Sequence, residues 1–238
     1  MKYTYLLIDF FTAIIPFIFS FHPKLNFYKT WKAFFPAVII TGMIFILWDV
    51  YFTSLGVWGF NSRYLIGVAI GNMPVEEILF FFCIPYSCVF TYHCLDLWIK
   101  RNLPQRIELV LTTLLIFVFA ITGILLNDKI YSMVTFIGLA VLMAVARYIL
   151  KVSWLPKFYL IYGILLIPFL IVNGLLTGTA LEEPVVWYNQ AQIIGLRILT
   201  IPVEDVFYGM ALILLNLLIY LHLKIKYQLI SGYSGKPI

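Results

Sequence analysis

Apolar residues in this chain come in long, nearly unbroken runs, without the alternation of a half-buried strand or the one-sided stripe of a surface helix. Runs of about 20 residues are what a hydrocarbon core of about 30 Å requires of a helix. They predict seven helices, at residues 3–21, 32–49, 75–97, 107–126, 131–150, 158–176 and 201–222. Polar joints separate them: His22-Pro23-Lys24, Lys100-Arg101-Asn102-Leu103-Pro104, Asn127-Asp128-Lys129 and Ser153-Trp154-Leu155-Pro156-Lys157. The first run has only Lys2 ahead of it and lacks a small-residue cleavage site, so it reads as a retained helix and not a signal peptide. The expected fold is an all-α integral membrane protein with one membrane domain over residues 1–238.

Composition agrees with the pattern. Hydrophobic residues make up 63% and charged residues 11% of the chain, against about 25% charged in soluble domains. The net charge of +5 would suit a nucleic-acid partner, but its carriers sit in joints beside apolar spans. Membrane orientation explains them, and no nucleic acid is expected. Lys24, Lys29, Lys32, Lys100, Arg101, Arg106, Arg147, Lys151, Lys157, Lys224, Lys226 and Lys236 fall on one side, twelve of the sixteen basic residues. Lys2, Arg63, Lys129 and Arg197 fall on the other. That bias predicts an outside amino terminus and a cytoplasmic carboxyl terminus in a multi-pass cell-membrane protein. Cys83, Cys88 and Cys94 lie in one apolar helix with no metal-ligand spacing, as buried thiols that act as small hydrophobes.

The acidic residues gather at the outer face, and two groups of them repeat. Pro74-Val75-Glu76-Glu77 recurs 128 residues later as Pro202-Val203-Glu204-Asp205, with Asn61 and Gly67 upstream matching Asn189 and Gly195, and Phe80 matching Tyr208. Pro36, Thr41 and Gly42 match Pro168, Asn173 and Gly174 at an offset of 132, which places a length difference in the outer loop. Helices 2 and 3 therefore correspond to helices 6 and 7. An even shift of four preserves direction, which predicts two parallel three-helix repeats, about 1–100 and 131–225, joined by a linker helix at about 107–126. Both motifs then approach one composite pocket from the same membrane face.

Pro-x-Glu-Glu is also an ordinary helix start, because proline suits the first turn and acids complement the amide dipole. Duplication of four carboxylates at a membrane boundary argues for a task beyond capping. Neighbouring helical residues point about 100° apart, so Glu76 and Glu204, identical in both copies, are the first-choice working pair, with Glu77 and Asp205 beside them. Trp58, Phe60, Tyr64, Phe80, Trp187, Tyr188 and Tyr208 surround the acids, as a membrane belt or as faces that stabilise a cation. Asn61 and Asn189 suit capping or orienting the carboxylates, and Asp49, after Trp48 at the end of helix 2, is a further acid. Arg63 and Arg197 are candidate partners for carboxylates, and Asp9 is an unexpected charge inside helix 1. The histidines lie a helix length away, so no metal site is expected. No phosphate-binding glycine loop occurs, and helix 7 has no lysine before Lys224, which removes nucleotide, flavin and retinal chemistry.

Together, Gly56-Val57-Trp58-Gly59-Phe60-Asn61, Pro74-Val75-Glu76-Glu77-Ile78-Leu79-Phe80-Phe81, Pro168-Phe169-Leu170-Ile171-Val172-Asn173-Gly174 and Ile201-Pro202-Val203-Glu204-Asp205-Val206-Phe207-Tyr208-Gly209 resemble the membrane-embedded lycopene cyclase domain family, in its fused two-subunit form. The resemblance implies an isomerase that closes the ends of lycopene into β-rings by acid–base catalysis, with no redox change and no cofactor. It implies Glu76, Glu77, Glu204 and Asp205 as catalytic carboxyls, with Asp49, Trp58, Phe60, Asn61, Phe80, Asn173, Trp187, Asn189 and Tyr208 around the substrate. Expected partners are a linear carotenoid, membrane lipid and other carotenoid enzymes. Alternatives are a carotenoid hydratase or long-chain carotenoid cyclase, and a small three-one-three transporter.

Overall fold

The computed structural model describes residues 1–100 and 102–229. Arg101 and Lys236, both counted in the charge bias, lie outside the described residues. Seven helices form: α1 (Thr4–Phe19), α2 (Trp31–Ser54), α3 (Val75–Trp98), α4 (Gln105–Leu125), α5 (Ile130–Ala144), α6 (Leu155–Leu176) and α7 (Val203–Lys226). Six are long and apolar enough to cross a membrane, α5 by way of a closing π-turn at Val145–Ile149. The exception, α1, has 16 residues and rises only about 24 Å.

Of the boundaries that differ from the sequence expectation, two bear on the acidic residues. Helix α2 runs past Asp49 to Ser54, because the Asp49 carboxyl is buried inside the protein and does not end the helix at water. Helix α7 starts at Val203, since Ile201 and Pro202 are extended. Proline at the cap position costs α3 and α7 nothing, because the first amides of a helix have no intrahelical acceptor.

Short strands, unexpected from an apolar pattern, occupy the loops ahead of α3 and α7. Before α3 come β1 (Trp58–Phe60), a 3-10 turn, then β2 (Ala69–Ile70) and β3 (Met73–Pro74). Before α7 come β4 (Val186–Tyr188), a 3-10 turn, then β5 (Arg197–Ile198) and β6 (Ile201–Pro202). The same series therefore occurs twice. Strands β2–β3 and β5–β6 are antiparallel hairpins, and β1 pairs with β4, setting Trp58 opposite Tyr188 and Phe60 opposite Val186. Pairing ties the two loops into one roof over the bundle.

Beneath that roof, α1 packs on α3 and α5 on α7, with α2 between α3 and α7, α4 against α5, and α6 only lightly attached to α1. Aromatic side chains fill the far half, where Phe27, Phe34, Tyr86, Phe90 and Tyr220 interlock. At that end buried Glu108 accepts from Thr112 at 2.8 Å and pairs with Arg147, carried by the π-turn, at 3.3 Å. Lys157 pairs with Asp96 at 2.5 Å. These contacts bind α4, α5, α6 and α3 together away from the roof.

The two hairpins turn through different residues, Gly71-Asn72 and Leu199-Thr200, and the first of each pair sets the backbone. Gly71 (φ 64°) and Leu199 (φ 57°) both take left-handed backbone, which a Cβ disfavours and glycine does not. Leu199 is exposed and gains little from packing in return. Leu199→Gly is expected to stabilise the protein by about 1 kcal/mol, read as a higher midpoint of thermal unfolding in detergent, and Gly71→Leu to lower it. A midpoint unmoved in both variants would refute the shared turn geometry.

Candidate active site

Each acidic motif begins with a loop that needs hydrogen-bond acceptors. Val75 N–H donates to Val68 O, and Val203 N–H to Leu196 O, both at 3.0 Å. The next demand is met by a side chain: Ile66 N–H donates to Glu76 Oε1, and Ile194 N–H to Glu204 Oε1, both at 2.6 Å. Ser132 adds a second donor to Glu204 at 2.6 Å. Glu76 and Glu204 are thus turned back into their loops and are fully buried.

The following residue, about 100° round the helix, faces the other way. Glu77 and Asp205 line a cavity of about 670 Å³ together with Asp49. Its walls come from α1, α3, α6 and α7, its top from β1 and β4. Both motifs therefore open on one space.

The two sides of that space are built differently. On the first, Tyr5 O–H donates to Glu77 Oε2 at 2.5 Å and Trp58 Nε1–H to Asp49 Oδ1. Asp49 Oδ2 has no hydrogen-bond partner, and the Glu77 carboxyl lies beside Asp49 on the cavity wall. Two buried carboxyls side by side are costly to ionise together, which favours one proton on the pair. On the second side, Asp205 accepts from Tyr131 at 2.6 Å, Tyr188 at 2.8 Å and Asn173 at 2.9 Å. Three donors suit an ionised carboxylate. Burial and then the Asp205 charge push the Tyr188 phenol well above the ordinary tyrosine range, so it remains a neutral donor.

The difference follows from sequence. Thr41 stands in the first copy where Asn173 stands in the second, and Phe60 where Tyr188 stands. The first copy thereby lacks two donors and has Asp49 in contact with its acid instead. Tyr208 lines the same cavity as Asp49, Glu77 and Asp205, and packs edge-on to Trp48 at 5.3 Å and to Trp58 at 6.4 Å.

Of the other expected site residues, Trp58, Phe60, Phe80, Asn173 and Tyr208 line the cavity. Asn61 and Asn189 cap the 3-10 turns, accepting from Arg63 N–H and Ala191 N–H, and Asn61 also donates to Glu183. Trp187 lies on the outer surface over Gly59. Arg63 pairs with Glu182, while Arg197 donates to the Thr200 carbonyl at 2.5 Å. Asp9 is buried near Glu76, with neither carboxyl oxygen hydrogen-bonded. Tyr5, Tyr131 and Ser132 escaped notice, because tyrosine and serine inside an apolar run resemble belt and packing residues. Their signal was positional: Tyr5 and Tyr131 lie 126 residues apart, nearly the motif offset. Among the described residues no cluster of three His, Cys, Asp or Glu side chains is placed to hold a metal ion.

A family model described as lycopene cyclase matches residues 2–95 and 128–223, which takes in both motifs and both roof loops. No curated protein matches the chain, and no solved structure does.

If Glu76 and Glu204 act as acceptors for loop amides, a glutamine carbonyl can replace them and alanine cannot. Glu76→Ala and Glu204→Ala are each expected to cost about 1–3 kcal/mol more than the glutamine variants, the penalty for stranding a donor. Thermal unfolding in detergent measures it. Equal losses for alanine and glutamine would exclude the acceptor role.

Proposed function

The chain belongs to the lycopene cyclase family, and from that premise we propose that it closes the linear ends of lycopene into β-rings, giving β-carotene through the one-ring γ-carotene. The observation that carries this reading is the pairing, across one apolar cavity, of two neighbouring carboxyls, Glu77 and Asp49, with a carboxylate held by three donors. Cyclisation needs one group to give a proton and another to take one.

In this reading the Glu77–Asp49 pair protonates the terminal double bond at its CH carbon. Positive charge appears on the neighbouring tertiary carbon, and the next double bond attacks it to form the ring bond. The charge moves to a second tertiary carbon, and loss of the adjacent ring proton to Asp205 leaves the ring double bond. One proton enters and one leaves, so the product is an isomer and no electron acceptor takes part. A carbocation is a far stronger acid than a carboxylic acid, so even a carboxylate holding three hydrogen bonds suffices as base. Faces of Trp58, Phe80 and Tyr208 stabilise the cation where water would capture it. Between turnovers Asp205 gives its proton up to solvent and the pair takes one back, which resets the site. Glu76 and Glu204 position the reacting neighbours by fixing the loops.

The element series that occurs twice supports two parallel three-helix repeats with α4 as linker. The basic-residue bias supports a motif face turned outward and a cytoplasmic carboxyl end, in the cell membrane.

Expression in lycopene-accumulating bacteria is expected to convert the pigment to β-carotene; unchanged lycopene would sink the proposal. Glu77→Gln, Asp49→Asn and Asp205→Asn are each expected to lower turnover by about a hundredfold or more, the usual range for a lost proton-transfer group. Full activity in Asp205→Asn would remove it as the base.

A further inference from the structure

The cavity extends well beyond the acids. Helix α3 lines it from Glu77 to Thr91 and α1 from Thr4 to Pro16, which are rises of about 21 and 18 Å. Of its deeper polar groups, Thr12 donates to Ile8 O, Ser87 to Thr12 O and Cys83 O, and Tyr162 to Val206 O. Farther along, the interlocked aromatics around Phe27 fill the bundle, and Ser20 and Tyr86 join α1 to α3 at 2.6 Å. The open side is lateral. Leu7, Phe11 and Ile15 on α1 and Ile171 on α6 line the cavity and are also 48%, 64%, 61% and 63% exposed. Since α1 and α6 touch only lightly, a slot runs between them from the cavity into the surrounding lipid.

All three cavity carboxyls lie at the roofed end. A linear C40 polyene, nearly as long as the hydrocarbon core of about 30 Å is thick, exceeds the cavity. With one end at the acids, its far end has no room inside. Resting on the cyclase reading above, we propose that the α1–α6 slot admits the polyene sideways from the lipid, that the far end stays in the lipid unread, and that the two ends are closed in separate binding events. The substrate class is any apolar linear polyene with one open end, whatever the chemistry of the other. The one-ring compound leaves the site, turns end for end in the bilayer and returns.

The test uses the purified full chain in liposomes with lycopene in large excess over protein. The one-ring product is expected to accumulate first, with two-ring product following after a lag. One-ring compound supplied alone should be converted within about threefold of the lycopene rate per open end, since an unread end adds no differential binding. Two-ring product from the first turnovers without free one-ring compound, or refusal of the one-ring compound, would overturn the inference while leaving the cyclase reading intact. No ring formation on either substrate would overturn that reading and the inference with it. A second arm narrows the slot. Phe11→Trp combined with Ile171→Trp should slow both substrates by about tenfold, as overfilling a fitted space does, whereas Phe117→Trp on the lipid face of α4 should not. Unchanged turnover in the double variant would exclude the slot as the route.

Discussion

Irregular backbone at the edge of a hydrocarbon solvent must find its hydrogen-bond partners within the protein, because lipid supplies none. Here the roof loops meet that constraint twice in the same way, with a buried glutamate accepting a loop amide at 2.6 Å. Much follows from that contact. It fixes the loop carrying Trp58 or Tyr188, which allows β1 and β4 to pair and close the top of the bundle. It also sets the rotation of α3 and α7 at their first turn. With one acid committed to the loop, the next is aimed at the cavity.

Symmetry of the frame makes the asymmetry of the contents informative. Both halves present a tyrosine from the first helix of their set to the cavity acid, Tyr5 to Glu77 and Tyr131 to Asp205. Beyond that they diverge. One half replaces two neutral donors with a second carboxyl, the other surrounds a single carboxyl with donors. A buried carboxyl pair holds a proton between its members, and a carboxylate saturated with donors holds a charge. In the proposed reaction these two similar helix starts stand at opposite ends of a proton transfer.

Much of this was legible in the sequence. Long apolar runs located all seven helices within a few residues, since in lipid length and hydropathy dominate. The duplicated motif located the cavity end. What the sequence could not resolve was rotation: Glu76 and Glu204, identical in both copies, accept loop amides, while the cavity wall carries Glu77, Asp205 and Asp49. Asp49 read as a helix end because a charge ordinarily marks water, whereas its carboxyl is buried against another one. Strands of two or three residues carry no periodicity, so the roof was invisible. Tyr5 and Tyr131 sit in apolar runs where an aromatic needs no special reason.

Proton entry from a buried carboxyl leaves a mark on the product, because a carboxyl hydrogen exchanges with solvent between turnovers and a carbon-bound hydrogen does not. Cyclisation by the purified protein in heavy water, followed by mass spectrometry and NMR of the pigment, reads that mark directly. One deuterium per ring is expected, on the ring carbon that began as the CH of the terminal double bond. Rings formed with only protium at that carbon would mean that the carboxyl cluster does not start the reaction.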